Sequence, residues 1–250
     1  MSFVKLWNGS EWIPPGGAIP ESEADQKLIH RWTLEDADEE GGIKDKIGSA
    51  DAIENEISAV EGDFILGAGA QRDGIGGFSN VGTLGSFGSS LNDDFAIAFS
   101  IDTSTNVGEI LGVLGEGSGE TGVSVRLGRE DADNGQIVFT LDDDNGDRLL
   151  EYTDGDPFND DDQPHRVVIN KTGNNSDGVE IFRDKNPAST DNQFDEGFSS
   201  VSDLSNDFAV IGMHDGEDIS GGPSGVFDDV CIFNSSLTGS EIDSYQRPWL

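Results

Sequence analysis

Short apolar runs are the feature of this 250-residue sequence that most limits its fold. Runs rich in Val, Ile and Phe recur between clusters of Gly, Asn and Asp, and apolar residues at helical spacing are almost absent. Runs of this kind are typical of β-strands closed by turns. The pattern therefore predicts an all-β protein.

The predicted strands suit two packed antiparallel sheets. They cover residues 28–34, 63–66, 95–102, 109–114, 122–128, 136–141, 148–152, 165–171, 178–183, 208–213 and 226–233. Between two of these runs, Asn145-Gly146 can take the positive φ angles of a tight turn, so we expect a hairpin there.

The charge of the chain indicates its surroundings. Fifty acidic residues against 14 basic ones give a formal net charge of −36, which would repel a phosphate backbone and disfavours nucleic-acid binding. At about 1 M salt the screening length falls to about 3 Å, and self-repulsion becomes tolerable. A disordered acidic chain is disfavoured because the 34% of hydrophobic residues fall into periodic blocks. The composition therefore predicts a folded protein adapted to molar salt.

Membrane insertion and secretion have no signal in the sequence. No apolar run approaches the roughly 20 residues that span a bilayer. The opening string MSFVKLWNGSEW lacks both the basic and the apolar region of a secretion signal. The single cysteine, Cys231, lies in the apolar string VCIF, and we expect it to be a small buried hydrophobe.

Both ends of the chain differ from the strand-rich part. Residues 1–24 are interpreted as an attachment arm with a Pro/Gly linker, and residues 25–250 as the β domain. In the arm, Trp7 and Trp12 flank Asn8-Gly9 in a hairpin-like stub, and the candidate assembly residues are Val4, Leu6, Trp7 and Trp12. Near the other end, Thr238 and Glu241 predict a short helix over residues 239–246.

Four segments resemble the laminin-G-like, or concanavalin-A-like, jelly-roll superfamily. They are LIHRWTLEDADEEGGIKDKIGSADAI, NDDFAIAFSID, QPHRVVINKTGNNSDGVEIFRDKNPAS and SGVFDDVCIFNSSLTGSEIDSYQ. The resemblance covers roughly residues 28–246 and implies a two-sheet antiparallel jelly-roll sandwich. It leaves activity open, because the superfamily contains lectins, adhesion modules, hydrolases and structural domains.

The string VKLWNGSEWIPP separately resembles short stubs at the ends of phage and archaeal-virus structural proteins. This resemblance implies an arm that attaches a virion component to its particle. The alternative is that the stub packs against its own domain.

Two acidic segments are candidate calcium sites, because carboxylates are preferred ligands of this hard cation. In GVFDDVCIF, one strand register buries Phe227, Cys231 and Phe233 together with one carboxylate, either Asp228 or Asp229. A buried carboxylate needs a cation or hydrogen-bond donors, so the alternatives are calcium and backbone amides. The second candidate is the loop containing Asp142 and Asp144, which solvation alone also explains. Calcium is the one cofactor that the sequence suggests.

No catalytic residues are predicted. Glycosidases on the jelly-roll fold use Glu-x-Asp-x-(x)-Glu, and in EDADEE the middle acid is replaced by Ala37. The three histidines lack zinc-site spacing. The sequence does not identify a glycan-binding site, and the candidate contributors to one are Trp32, Tyr152, Phe158 and Asn159.

The hypothesis that unites these features is a non-enzymatic virion surface protein of a halophilic archaeal tailed virus, either a capsid decoration or a tail-fibre component. Its expected location is the outside of the particle in brine. Its expected partners are other virion proteins bound through the arm, further copies of itself and host surface glycans. The alternatives are a cellular lectin-like carbohydrate-binding module and a glycoside hydrolase.

Overall fold

A computed structural model describes most of the β domain and a small part of the arm. The described residues are 6–7, 12–13, 23–33, 43–49, 51–53, 58–64, 67–72, 78–80, 93–103, 108–114, 122–129, 132–143, 145, 147–154, 158, 164–173, 176–195, 209–210, 213–214, 219–220 and 225–245. All structural statements below refer to these residues.

Strands dominate the described chain, and helices are short. The strands are β1 (Leu6–Trp7), β2 (Trp12–Ile13), β3 (Leu28–Trp32), β4 (Ala52–Ile53), β5 (Ser58–Phe64), β6 (Gly67–Arg72), β7 (Phe78–Asn80), β8 (Phe95–Asp102), β9 (Gly108–Leu114), β10 (Gly122–Arg129), β11 (Ala132–Asp142), β12 (Arg148–Thr153), β13 (His165–Lys171), β14 (Val179–Arg183), β15 (Asn186–Pro187), β16 (Thr190–Asp195), β17 (Ala209–Val210), β18 (Met213–His214), β19 (Ile219–Ser220) and β20 (Gly225–Phe233). The helices are α1 (Glu23–Lys27), a 3₁₀ turn (Ser176–Gly178) and α2 (Gly239–Tyr245). Neither α-helix is long and apolar enough to cross a bilayer.

The strands form two large sheets. The ten-stranded sheet has the order β16-β12-β11-β10-β9-β17-β7-β4, with β18 beside β9 and β19 beside β18. The eight-stranded sheet has the order β15-β14-β13-β8-β20-β6-β5, with β3 beside β20. All pairings are antiparallel except the short contact between β18 and β9. The predicted all-β, two-sheet antiparallel jelly-roll sandwich with a short C-terminal helix is confirmed.

The main core lies between the two sheets. In β8, Phe95, Ile97, Phe99 and Ile101 alternate with small residues and point into this core. Across the sandwich, the rings of Phe95 and Phe139 lie 6.2 Å apart. Because alternate residues of a strand point to opposite faces, this core fixes which residues of the ten-stranded sheet point outward.

A second apolar cluster lies on the outer face of the eight-stranded sheet, beneath α1 and α2. It contains Ala24, Leu28, Ala96, Ala98, Val168, Phe182, Cys231, Phe233, Leu237 and Ile242. The prediction that Cys231 is buried is confirmed. Helix α1 has no counterpart among the predicted elements, yet its Ala24 is fully buried.

Helix α2 begins with a reciprocal cap. The backbone amide of Glu241 donates to Thr238 Oγ1 at 3.4 Å, and the amide of Thr238 donates to Glu241 Oε2 at 2.6 Å. The same carboxylate binds Lys27 Nζ of α1 at 2.8 Å. The short helix predicted from Thr238 and Glu241 is therefore confirmed, and the Glu241 carboxylate also ties the two helices together.

A β-bulge interrupts β20. Opposite β8, Asp228 pairs with Ser100 and Cys231 pairs with Ala98, so two residues of β20 face one residue of β8, and Asp229 has a φ of 48°. Phe227 consequently points between the sheets, whereas Cys231 and Phe233 point to the outer face. The prediction of one register that buries all three side chains together is therefore wrong.

Both predicted hairpin pairings are present, but the turn of the second hairpin is longer than predicted. Strands β11 and β12 pair around Asn145, but residues 143–147 connect them, which is longer than a two-residue turn. In the arm, β1 and β2 pair with Trp7 opposite Trp12, as the hairpin-like stub predicted. The division of the chain at residue 24 stays a prediction.

Candidate functional site

The outer face of the ten-stranded sheet carries a row of chemically distinct residues. Strand register places Glu109 of β9 opposite Arg126, Arg126 opposite Val138, Val138 opposite Tyr152, and Tyr152 opposite Asp191 of β16. The core between the sheets contains Ile110, Val125 and Ile137, which are sequence neighbours of row residues, and Leu149, which lies three residues before Tyr152 and so on the opposite face of β12. These five residues therefore lie across the outer face, and we call them the Arg126–Tyr152 row.

Tyr152 is the most distinctive member of the row. Among the aromatic residues whose side chains the structure describes, it alone is not buried. Its hydroxyl donates a hydrogen bond to Asp191 Oδ2 at 3.1 Å, which orients the ring on the sheet. Arg126 is half-buried and Val138 is fully buried between them. The row thus combines a partly exposed ring, a guanidinium and an exposed carboxylate.

The predicted calcium loop lies beside this row, at the end of β11. Asp142 is buried and its Oδ1 accepts a hydrogen bond from Arg148 Nε at 2.5 Å. The next residue, Asp143, accepts hydrogen bonds from the backbone amides of Asn145 and Asp147 at 2.8 and 3.0 Å. Asp144 lies outside the described residues. Arg148 therefore binds Asp142 Oδ1, and backbone amides bind Asp143 Oδ1.

The other predicted calcium ligands, Asp228 and Asp229, are both buried at the β20 bulge. Asp229 Oδ1 accepts a hydrogen bond from Arg31 Nε at 2.6 Å, and its Oδ2 lies 3.3 Å from a terminal nitrogen of Arg166. Arg166 is itself buried and also donates to Ser100 Oγ and to the Asp229 carbonyl. Two arginines thus balance this carboxylate, a partner that was not among the alternatives weighed from the sequence.

Within the part of the chain that the structure describes, no three His, Cys, Asp or Glu side chains are grouped as metal ligands would be. Calcium at Asp142, Asp144, Asp228 or Asp229 therefore stays a prediction.

Each of the two arginines at Asp229 follows a histidine that is held by an aspartate. In β3, His30 Nδ1 lies 2.6 Å from Asp45 Oδ2, and the amide of Arg31 donates to Asp45 Oδ1 at 3.0 Å. Asp45 also accepts the amides of Ile47 and Gly48, so the loop containing it is anchored to β3.

The same arrangement recurs in β13. His165 Nδ1 lies 2.7 Å from Asp184 Oδ2, and the amide of Arg166 donates to Asp184 Oδ1 at 2.9 Å. Burial alone would raise the pKa of Asp184, but the hydrogen bonds from His165 and from the Arg166 amide outweigh it and lower the pKa below its usual value. Sequence analysis missed this network, although the two His-Arg dipeptides in LIHRW and PHRVV were a usable signal.

Lys171 is a buried cation at the end of β13. Its Nζ donates to the carbonyl of Asp93 at 2.9 Å and lies 5.4 Å from the centroid of the Phe95 ring. Burial lowers its pKa from 10.5 to about 8, against the opposing influence of Asp94 and Asp93.

Most of the suggested glycan contacts do not reach the surface. Trp32 is fully buried, and Phe158 is 2% exposed, with its ring against His165 and Arg183. Asn159 and Val4 lie outside the described residues. For Leu6, Trp7 and Trp12 the structure describes the backbone pairing alone. Tyr152 is therefore the one suggested aromatic contact that fits a binding surface.

Comparisons with known proteins give the fold a wider context. No protein-family model matches the sequence, and no curated protein does. Among solved structures, the botulinum neurotoxin serotype D binding domain is similar to this chain, with a TM-score of 0.60 and 13% identity over 90% of this chain and 52% of that one. The Ruminococcus gnavus IT-sialidase CBM40 bound to α2,3-sialyllactose has a TM-score of 0.53 and 12% identity over 76% of this chain and 98% of that one.

A third similar structure is the Trypanosoma rangeli sialidase in complex with sialic acid, with a TM-score of 0.56 and 14% identity. It is matched over 92% of this chain and 34% of its own length. The chain thus spans about half of the toxin domain and about a third of the sialidase. At these identities the similarity shows a shared β-sandwich fold and nothing about activity.

Proposed function

We propose that this protein is a non-enzymatic carbohydrate-binding module that holds its ligand on the Arg126–Tyr152 row. The observation that carries the proposal is the half-buried Tyr152 ring, oriented by Asp191 on the same sheet face as Arg126. An aromatic ring can pack against the C–H face of a sugar, while carboxylate and guanidinium groups bind its hydroxyls. Such sites combine an apolar contact with a few placed polar groups.

The similar structures support this proposal. One is the binding domain of a botulinum neurotoxin, and another is a sialidase CBM40 bound to α2,3-sialyllactose. Both are binding units, which favours binding over catalysis in the present chain.

Glycan-array binding in molar NaCl tests the proposal. Tyr152→Ala should weaken binding at least tenfold, because the stacking surface is lost, and Arg126→Gln should weaken it less. Glu180→Gln is the control, because Glu180 is exposed on β14 of the other sheet. The proposal is wrong if the wild-type protein retains no saccharide, or if Tyr152→Ala binds as the wild type does.

We further infer that the module is displayed on the virion of a halophilic archaeal tailed virus, attached through the β1–β2 hairpin. The net charge of −36 supports adaptation to molar salt, where repulsion between the acidic residues is screened. The hairpin supports attachment, because an isolated pair of two-residue strands is too small to be stable alone and needs a surface to pack on. Its partners are then other virion proteins, and further copies of this chain are expected around them.

Deletion of residues 1–20 tests the attachment. The truncated chain keeps α1 and should fold and bind saccharide as the full chain does, but should no longer co-sediment with purified particles in molar salt. Co-sedimentation equal to that of the full chain contradicts the role of the arm. Absence of the full chain from every particle preparation favours the cellular lectin-like alternative.

A further inference from the structure

We infer that the Arg126–Tyr152 row binds a hexuronate, a sugar whose ring carries a carboxylate, and that Arg126 is the group that holds this carboxylate. The inference rests on the proposed carbohydrate-binding function and adds the class of ligand. It is carried by the surroundings of Arg126, the cation of the row.

Arg126 differs from the four other arginines whose side chains the structure describes. Each of those four contacts an acceptor: Arg31 and Arg166 at Asp229, Arg148 at Asp142, and Arg183 at His165. Arg126 makes no ion pair or hydrogen bond with a described residue, and its Nε is buried without a hydrogen-bond partner. The chain has 50 acidic residues for only 14 basic ones, so carboxylates for pairing are abundant. The lone guanidinium of Arg126 is therefore an exception within the described part of the chain.

A carboxylate is the partner that such a guanidinium fits best. The fork of N–H donors on an arginine matches the two oxygens of a carboxylate, which can accept from two donors at once. Arg126 is half-buried, so less water screens the attraction than at a fully exposed site. Its side chain is nevertheless partly exposed, which leaves it open to a ligand. An anionic group on the ligand therefore satisfies a cation that the described chain leaves unpaired.

The spacing of the row indicates where the carboxylate lies on the sugar. Arg126 and Tyr152 lie on either side of β11, two strands apart, so their backbones are separated by roughly 10 Å. Between them lies Val138, which is fully buried. A sugar ring packed on Tyr152 therefore reaches Arg126 through a substituent at its edge. The carboxylate of a hexuronate is such a substituent, because it extends from a ring carbon close to the plane of the ring.

The acidic surface does not oppose this contact in molar salt. The chain carries a formal charge of −36, but the screening length at about 1 M salt is about 3 Å, so only neighbouring charges act on the ligand. Asp191 lies one strand beyond Tyr152, on the side away from Arg126. There it can accept hydrogen bonds from sugar hydroxyls while Arg126 holds the carboxylate.

Matched saccharide pairs test the ligand class. Full-length protein in molar NaCl is titrated with the methyl glycosides of glucose and glucuronate, and with those of galactose and galacturonate. The members of each pair share a ring and differ by the carboxylate. In at least one pair the acidic member should bind severalfold more tightly. A larger preference is not expected, because chloride competes for Arg126.

The opposite results separate this inference from the proposed function. If neutral members bind as tightly as their acidic counterparts or more tightly, the ligand class is wrong while carbohydrate binding stands. A preference for 3′-sialyllactose over lactose, with none for either hexuronate, also contradicts the hexuronate assignment. If the protein binds no member of any pair and no saccharide on the array, both the inference and the proposed function fail.

Substitutions on the row test the role of Arg126. Arg126→Gln should abolish the preference by weakening the acidic member alone, and Arg126→Lys, which keeps the charge, should retain part of it. Tyr152→Ala should weaken both members of a pair by similar factors. Lys185→Gln is the matched control, since it removes one positive charge from the exposed turn between β14 and β15 and should leave the preference unchanged. An undiminished preference in Arg126→Gln overturns the assignment.

Two further measurements examine whether Arg126 is unpaired. Arg126→Gln should melt no lower than the wild type, because no described contact is lost, and a clear fall in melting temperature contradicts the inference. Glu109 stands opposite Arg126 in the β9–β10 register, and Glu109→Gln should bind the acidic member at least as tightly as the wild type does. A preference that is present only in Glu109→Gln shows that Glu109 occupies Arg126 in the wild type, and it also contradicts the inference.

Discussion

Replacing Lys171 by methionine should stabilise the folded protein at neutral pH. The ammonium is buried, and a pKa reduced from 10.5 to about 8 corresponds to roughly 3 kcal/mol of destabilisation when the lysine is charged. Methionine has a similar length and no charge, but it loses the bond to the Asp93 carbonyl and the contact with Phe95, together about 1 kcal/mol. The expected gain is therefore about 2 kcal/mol at pH 7.

The pH dependence identifies the cause. Between about pH 8 and pH 10.5 the unfolded chain holds the Lys171 proton more tightly than the folded chain does, so this residue makes stability rise with pH across that window. Below pH 8 the penalty is complete, and above pH 10.5 it is absent. The advantage of Lys171→Met should therefore shrink as pH rises through the window.

Urea denaturation in molar NaCl, followed by tryptophan fluorescence at several pH values between 7 and 10.5, measures the difference between the two proteins. Taking a difference cancels groups that titrate equally in both, such as the exposed lysines. The reasoning fails if Lys171→Met is less stable than the wild type at pH 7, or if the difference between the proteins does not change with pH.

Three further predictions concern stability. Arg166→Met should lower the free energy of unfolding by about 3–5 kcal/mol, because it leaves Asp229 partly unpaired in the interior. Arg31→Met should lower it less, because Arg31 is partly exposed. Urea titration compares the two variants, and equal losses contradict this assignment. Asn170→Ala should cost about 2 kcal/mol, since its amide bonds both backbone groups of Leu237, and thermal melting that matches the wild type argues against those bonds. Lowering NaCl from molar to about 0.1 M increases the electrostatic screening length to about 10 Å, so repulsion between the acidic residues strengthens and the melting temperature should fall. An unchanged melting temperature contradicts the halophilic interpretation.

Strands that face the core were predicted closely because their side chains alternate. The predicted 95–102 and 165–171 coincide with β8 and β13, where apolar residues on one face meet the opposite sheet. Strands β6 and β16 were missed, because GAGAQR and TDNQFD offer no apolar alternation. These two strands form through pairing with their neighbours, which are β5 and β20 for β6 and β12 for β16.

The candidate site was harder to predict, because its members lie on different strands. Arg126, Val138, Tyr152 and Asp191 become neighbours through strand register, which a single sequence does not reveal. Tyr152 could be suggested as an aromatic contact, but only packing distinguishes it from the buried Trp32 and Phe158. The ion pairs of Asp229 were missed for a related reason, since Arg31 and Arg166 lie far from it in the sequence.

The contact between α1 and α2 has a practical consequence for protein engineering. Lys27 and Glu241 join the first and last described helices on one side of the sandwich, away from the Arg126–Tyr152 row. Because the two helices contact each other, the described chain between them can be inserted into a surface loop of another protein, or given new termini at another position, with a short connecting peptide. The sugar-binding face proposed here would then point away from the host protein, as a detachable recognition unit requires.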